Sequence, residues 1–409
     1  PDWLKLKAGD TWDTGFGVWF AKSGGRDDEP MVITTYGNGP RPRIIVPVGD
    51  RAIGAHTLKN ISFVGLEFVC DPDPDNRGQS GGIFFLISSE SVTRDILIED
   101  CKISGANNNV IFQGSDEPAV GPIKNVTLRR NIIVDAHSRS GESHSQGIFV
   151  NHVDTLLIEE NLIDHNGWKQ SSGRTIFNHN IYVQHECQNV VVQGNISSRA
   201  SSHGLQLRPG GVAENNLFYK NALAMFADDG SEKGQDNAAR VRRNVVMAGD
   251  DLHDLPRGFG ITMFRIRDAI YEENIVVDRE TDNPGPAFES AYDSGDSDPS
   301  LPPVIVRDNV IKNWSDQWGN GIQIDDELVG EFSLSGNIVD SVRRDTGEGV
   351  TFTDDTRNLV SYVQTLGHTG GFDKYVELNR SRALGVWDAS LSAAAFNDYM
   401  REGFTVTTP

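Results

Sequence analysis

The stretch Leu156-Leu-Ile-Glu-Glu-Asn161, returning as Val190-Val-Val-Gln-Gly-Asn195, decides how this chain folds. It is one phrase: a few β-branched or apolar residues, a polar pair, then Asn. The phrase closes at Asn131, Asn161, Asn195, Asn216, Asn244, Asn274, Asn309 and Asn337, in steps of 21 to 35 residues. A unit of that length cannot bury its apolar side alone, so copies must stack and share a core. After each Asn comes a variable loop and then a second phrase. Examples are Gly147-Ile-Phe-Val-Asn151, Asn180-Ile-Tyr-Val-Gln184, Gly204-Leu-Gln-Leu-Arg208, Gly260-Ile-Thr-Met-Phe264 and Gly321-Ile-Gln-Ile-Asp325. Apolar residues at alternate positions mark a strand with one face buried and one wet. The recurrent Asn suits a tight turn with left-handed backbone angles, and stacked Asn side chains can form a ladder.

The repeat resembles one coil of a right-handed parallel β-helix, as in the pectate-lyase-like superfamily. The expected fold is all-β, a right-handed parallel β-helix of about ten coils with a short helical tail. Propellers and sandwiches fit less well, because the repeated phrases themselves carry no Trp-Asp and no hairpin Asn-Gly signal. Weaker coils precede the eight, at Asn60-Ile-Ser-Phe-Val and Asp95-Ile-Leu-Ile-Glu-Asp-Cys101, with Leu4-Lys-Leu-Lys and Met31-Val-Ile-Thr as entry strands. The division expected is 1–357 for the β-helix and 358–409 for a helical capping tail. Leu391-Ser-Ala-Ala-Ala-Phe has helical composition, and the tail should lie over the last coil or along its flank.

A net charge of −21 argues against nucleic acid, whose phosphates need clustered Lys and Arg. An anionic substrate would need a locally basic cleft. No apolar run is long enough to span a membrane. The start at Pro1 suits a processed or trimmed chain, and the net charge of −21 suits a secreted or periplasmic protein. The 3 Cys residues (Cys70, Cys101, Cys187) make no disulfide framework, and buried free thiols are expected.

Of 10 His residues, seven lie between His137 and His203, among the best-formed second-phrase strands. If coils stack in register, equivalent positions sit about 4.8 Å apart. His179, His203, Tyr182, Gln206 and Arg208 would then share one exposed patch, with Asn151 and Gln184 alongside. Those groups suit β-elimination of a uronate. Arg binds a carboxylate in a fork and keeps its charge. His can take a proton near neutrality, and Tyr can supply one. On an ordinary β-helix surface such polar residues are merely solvated, and only their convergence argues for chemistry.

The segment from Val183-Gln-His-Glu-Cys-Gln-Asn through Leu207-Arg-Pro-Gly-Gly-Val-Ala-Glu-Asn-Asn-Leu-Phe218 is similar to the catalytic stretch of the chondroitinase-B and alginate-lyase family. The resemblance covers some forty residues. It implies a polysaccharide lyase, with Arg208 at the family's catalytic Arg. The family's Lys position falls at or beside His185, a departure. Its calcium carboxylates fall near Asn178 and Asn180, where this chain has amides, so no cofactor is firmly expected and Ca²⁺ is the one candidate. Substrate-binding candidates on the loops are His144, Trp168, Lys169 and Arg174, with Lys220 beyond the next Asn phrase. Trp168 is otherwise a packing residue. The acidic pair Asp228-Asp229 offers a rival, glycoside hydrolysis by two carboxylates, against ordinary loop roles for adjacent Asp. A uronate C5-epimerase and a non-catalytic carbohydrate-binding β-helix also stay open. The expected partner in each case is an acidic polysaccharide.

Overall fold

The computed structural model describes residues 2–19, 26, 28–73, 75–87, 92–118, 120–137, 144–171, 173–227, 238–252, 255, 257–263, 268–281, 285–290, 302–340 and 350–407. Among the described residues, eleven coils hold three parallel strands each, not the two read from sequence, and a twelfth holds two. One coil runs Ile123–Arg129, Ile132–Val134 and Ile148–Asn151, and the next Val153–Glu159, Leu162–Asp164 and Ile181–Val183. Their register pairs Val126 with Leu156, Ile132 with Leu162 and Ile148 with Ile181. Like positions are therefore neighbours. The described strands amount to twelve coils, where about ten were expected. The missed strand is the three-residue one after each Asn. In Ile132–Val134, Val245–Met247 and Ile275–Val277 all three residues are buried. Covered on both faces, it shows no period-two alternation to read.

The recurrent Asn does not take the left-handed turn. The residue before it does, as in Arg130 (φ 55°), Glu160 (56°), Arg243 (55°) and Glu273 (54°). That turn aims each Asn inward, where the expected ladder forms. Asn131 Nδ2 donates to Asn161 Oδ1 at 3.0 Å and to the Ile98 carbonyl at 2.9 Å. A second run goes Asn195 to Asn216 (3.1 Å), Asn244 (3.0 Å), Asn274 (3.0 Å), Asn309 (2.9 Å) and Asn337 (2.9 Å). The ladder satisfies buried backbone groups at the corner that strands alone would leave unpaired. The charged turn residues pair from coil to coil, as Arg130 with Glu160 at 2.6 Å and Arg243 with Glu273 at 3.0 Å.

The chain divides into two compact units. The first holds Pro1–Val191, Ala200–Ser202 and Arg382–Trp387, and the second holds Val192–Arg199, His203–Ser381 and Asp388–Pro409. Phe85 stacks on Phe112 at 4.8 Å inside the first. In the second, the tail forms helices Leu359–Thr365, Phe372–Arg380 and Ala393–Gly403. Asn358 caps the first of these through a reciprocal capping box. Asn397 Nδ2 reaches the carbonyls of Asn215 (3.3 Å) and Asn216 (3.2 Å), and Phe372 stacks on Tyr219 at 4.1 Å. These helices therefore dock on the flank at residues 215–219, not over the last coil. The Arg382–Trp387 stretch docks within the first unit, where Arg382 hydrogen-bonds the Arg130 carbonyl and Gly385 N–H reaches Asp100 Oδ2 at 2.7 Å. Cys70, Cys101 and Cys187 are free and buried, and burial pushes the Cys101 and Cys187 thiols up to about 12. Among the described residues no helix is long and apolar enough to cross a membrane.

Candidate functional site

The third strand of each coil presents an outward row of side chains. In the first unit the row is Phe84, Ile111, Phe149 and Tyr182, all half-buried and in direct register. Phe149 meets Tyr182 edge-on at 5.4 Å. Asn151 lies at the end of its strand opposite Gln113, and Gln184 N–H donates to the Val150 carbonyl at 2.9 Å. His185 follows in the turn, with Nε2 2.9 Å from Glu186 Oε1.

His179 is the most closely held group of this row's flank. Its backbone N–H donates to Gln146 Oε1 at 2.7 Å, and Gln146 Nε2 donates to the Phe177 carbonyl at 2.9 Å. Its Nδ1 lies 3.0 Å from Ser202 Oγ, which is 2.9 Å from the Ile176 carbonyl. The ring packs 4.9 Å from Tyr182 at 76°. His179 is only 4% exposed, which corrects the expectation of an open patch: Tyr182 and Ser202 pack against it. His203 (6%) and Gln206 (8%) are likewise buried, because neighbours one coil apart shield one another. Tyr182 and Arg208 keep part of their surface in water.

The amides at 178 and 180 have structural work. Asn109 Nδ2 donates to Asn166 Oδ1 (3.1 Å) and Asn166 Nδ2 to Asn180 Oδ1 (3.0 Å), a second buried ladder. Asn178 Nδ2 donates to the Gly167 carbonyl (2.6 Å), and its Oδ1 accepts from Ser145 N–H (2.9 Å). Carboxylates there would lose the donors. Among the described residues no three His, Cys, Asp or Glu side chains gather as a metal site.

Trp168 lies 4.6 Å from the His165 ring, with the Arg174 guanidinium 4.4 Å over its own ring. Lys169 bridges through its backbone to Gly173. His144 is exposed and meets Phe177 edge-on at 5.8 Å. Phe177 is 63% exposed, an aromatic that sequence reasoning passed over, since no periodicity marks it within its loop.

In the second unit the outward row is Gln206, Phe226, Thr262, Glu289 and Gln323. His203 begins the first strand of this row and meets Phe226 edge-on at 5.9 Å. Burial, then the charges of Arg208 and Arg257, hold its pKa down to about 3, so its imidazole is neutral at neutral pH. Arg208 follows the same strand, half-buried. Burial and the Asp325 charge push the Glu289 carboxyl up to about 7, against Arg257 and Thr262. Glu289 was missed because Ala287-Phe-Glu-Ser lacks the Gly-apolar opening, and Arg257 because it lies in the loop before Gly260-Ile-Thr-Met, outside the phrase. Lys220 belongs elsewhere. It ends the second strand of its coil in a left-handed turn and pairs with Glu280 at 2.8 Å, so it is not on the third-strand row. The Asp228-Asp229 pair lies outside the described residues.

Residues 75–246 match the family model described as right handed beta helix region. No curated protein sequence matches the chain. Among solved structures, the chain is similar to the A-module of a mannuronan C-5 epimerase from Azotobacter vinelandii, at 13% identity, 83% of this chain, 87% of that one and a TM-score of 0.52. An alginate lyase from Paenibacillus sp. follows at 14% identity, 72% and 91% coverage and 0.38. A lacto-N-biosidase from Eubacterium ramulus follows at 11%, 83% and 62% coverage and 0.42. The likeness to the epimerase module, at 13% identity, speaks to the fold alone.

Proposed function

We propose that this chain, which has the right-handed parallel β-helix fold of the pectate-lyase-like superfamily, is a polysaccharide lyase that cuts a uronic-acid-containing polymer by β-elimination. The observation that carries the reading is the His179–Tyr182 pair, a buried imidazole 4.9 Å from a half-exposed phenol, each on a different side of the same bend. Elimination needs a base for the proton α to the carboxylate and an acid for the leaving oxygen. His179 is the proposed base and Tyr182 the acid. Within the second unit, Arg208, with Arg257, has the charge and fork geometry that a uronate carboxylate requires. His203 is the rival base. It is a weak one, because burial, then the charges of Arg208 and Arg257, hold its pKa down to about 3. Gln184, Gln206 and Asn151 are proposed to orient sugar hydroxyls, with His185, His144 and Phe177 as further contacts. Such polymers are met outside the cytoplasm, so a secreted or periplasmic location goes with the proposal.

The test is a screen against alginate, pectate, chondroitin, glucuronan and neutral glucans, read by the ultraviolet absorbance of the unsaturated uronate. Absorbance should rise with one uronate polymer and with no neutral glucan. New reducing ends without absorbance would make the chain a hydrolase. An inverted C5 centre in an uncut polymer would make it an epimerase, which shares the proton-abstraction step.

A further inference from the structure

Ser202 Oγ makes two contacts in the first unit, and its hydroxyl has one proton. The Ile176 carbonyl, 2.9 Å away, can only accept, so that proton goes to it. The contact to His179 Nδ1 at 3.0 Å then requires Nδ1 to be the donor. A neutral imidazole carries a single N–H, so its Nε2 holds the lone pair. Both partners are fixed in place. Ser202 is fully buried and its N–H donates to the Asn178 carbonyl at 3.0 Å. Next to it, Ser201 Oγ donates to the Thr175 carbonyl at 2.9 Å and accepts from Thr175 N–H at 2.7 Å. His179 N–H is held on Gln146.

We infer that Ser202 is a positioning residue that locks His179 as the Nδ1–H tautomer and so presents Nε2 as the proton acceptor. The catalytic part of this rests on the lyase reading above. In that reading Nε2 takes the C5 proton and becomes part of an imidazolium. The C5–H electron pair forms the C4=C5 double bond as the C4–O bond breaks. The leaving oxygen takes the Tyr182 proton, and exchange with water resets both side chains. Ser202 Oγ accepts from Nδ1–H throughout, so it also stabilises the imidazolium.

The experiment pairs a spectroscopic reading with an activity reading. Ring ¹⁵N resonances of uniformly labelled protein at neutral pH, with His179→Gln to assign them, should show His179 protonated at Nδ1. Ser202→Ala should give a mixture of tautomers, and Ser202→Thr, which keeps the hydroxyl, should restore the single form. On the polymer found by the screen, Ser202→Ala should lower kcat about tenfold or more with little change in KM and shift the acid limb of the pH profile, as expected when a general base is misprotonated. Ser202→Thr should recover most of the loss. A wild-type His179 protonated at Nε2 overturns the inference whatever the activity. The correct tautomer with unchanged kcat in Ser202→Ala overturns the catalytic role. The correct tautomer without cleavage of any uronate polymer leaves the lock standing and removes the lyase reading instead.

Discussion

The Asn corner and the third-strand row are built on the same coils and could hardly differ more. At the corner, coil after coil of the second unit places the same residue in the same bond: Asn216, Asn244, Asn274 and Asn309 each pass an amide hydrogen to the next Oδ1 at 2.9 to 3.0 Å. On the row no two neighbours are alike, and Gln206, Phe226, Thr262 and Glu289 follow one another in register. A bond that must repeat at every coil demands one side chain, whereas a surface free of that demand can vary. Uniformity marks what holds the solenoid, and variety marks where chemistry is placed.

That contrast can be broken by experiment. The largest effect expected is on the row: Arg208→Ala should reduce turnover by about 10²- to 10³-fold, the range for losing one charge-stabilising donor, with Tm nearly unchanged. Retained turnover on every uronate polymer would take Arg208 out of the mechanism. Next comes the corner. Asn244→Ala strands the Ala213 carbonyl and the Asn216 amide donors, and should cost roughly 2–4 kcal/mol of stability without altering KM in whatever protein still folds. A neutral result in chemical denaturation would deny the ladder its role.

The pH dependence of stability separates two members of the row. The folded pKa of His203, about 3, lies below its ordinary 6.5, so the unfolded chain binds more protons between those values. Its contribution is therefore intact above 6.5 and is lost as pH falls toward 3. Glu289 runs the other way. Its folded pKa of about 7 exceeds 4.5, so its contribution is present below 4.5 and is lost as pH rises through 7. Melting curves across this range should lose the acid slope in His203→Gln and the opposing slope in Glu289→Gln; unchanged slopes would show that other groups set the profile. The smallest effect belongs to the exposed loop aromatic. Phe177→Ala should raise KM a few-fold and leave kcat and Tm alone, since one stacking contact is worth about 1 kcal/mol. An unchanged KM would make Phe177 an idle surface residue.

Much of the site's address was legible, and little of its condition. The period-two phrases put both Tyr182 and Arg208 on strands; Tyr182 lies within Ile181–Val183, and Arg208 directly follows His203–Leu207. The burial of His179, His203 and Gln206 was not readable, because it depends on what packs over them from other coils. Lys220, expected to reach the same face from beyond the next Asn phrase, sits at the end of the short strand Leu217–Tyr219, a strand the sequence did not reveal. Glu289 was invisible for the opposite reason: Phe288–Ser290 is a third strand without the usual opening glycine.

By itself the sequence determined the stacking. A spaced Asn and an alternating apolar pair are local requirements, written again and again from Asn131 to Asn337, and they add up to a solenoid with its ladder. Only the tertiary structure decided which polar groups are buried, which nitrogen of His179 carries the proton, and where the tail docks. Those outcomes depend on atoms brought together from distant stretches of chain, such as Ser202 Oγ with Ile176 and His179 or Asn397 with Asn215 and Asn216. No local pattern encodes such meetings, because the loops between coils vary in length.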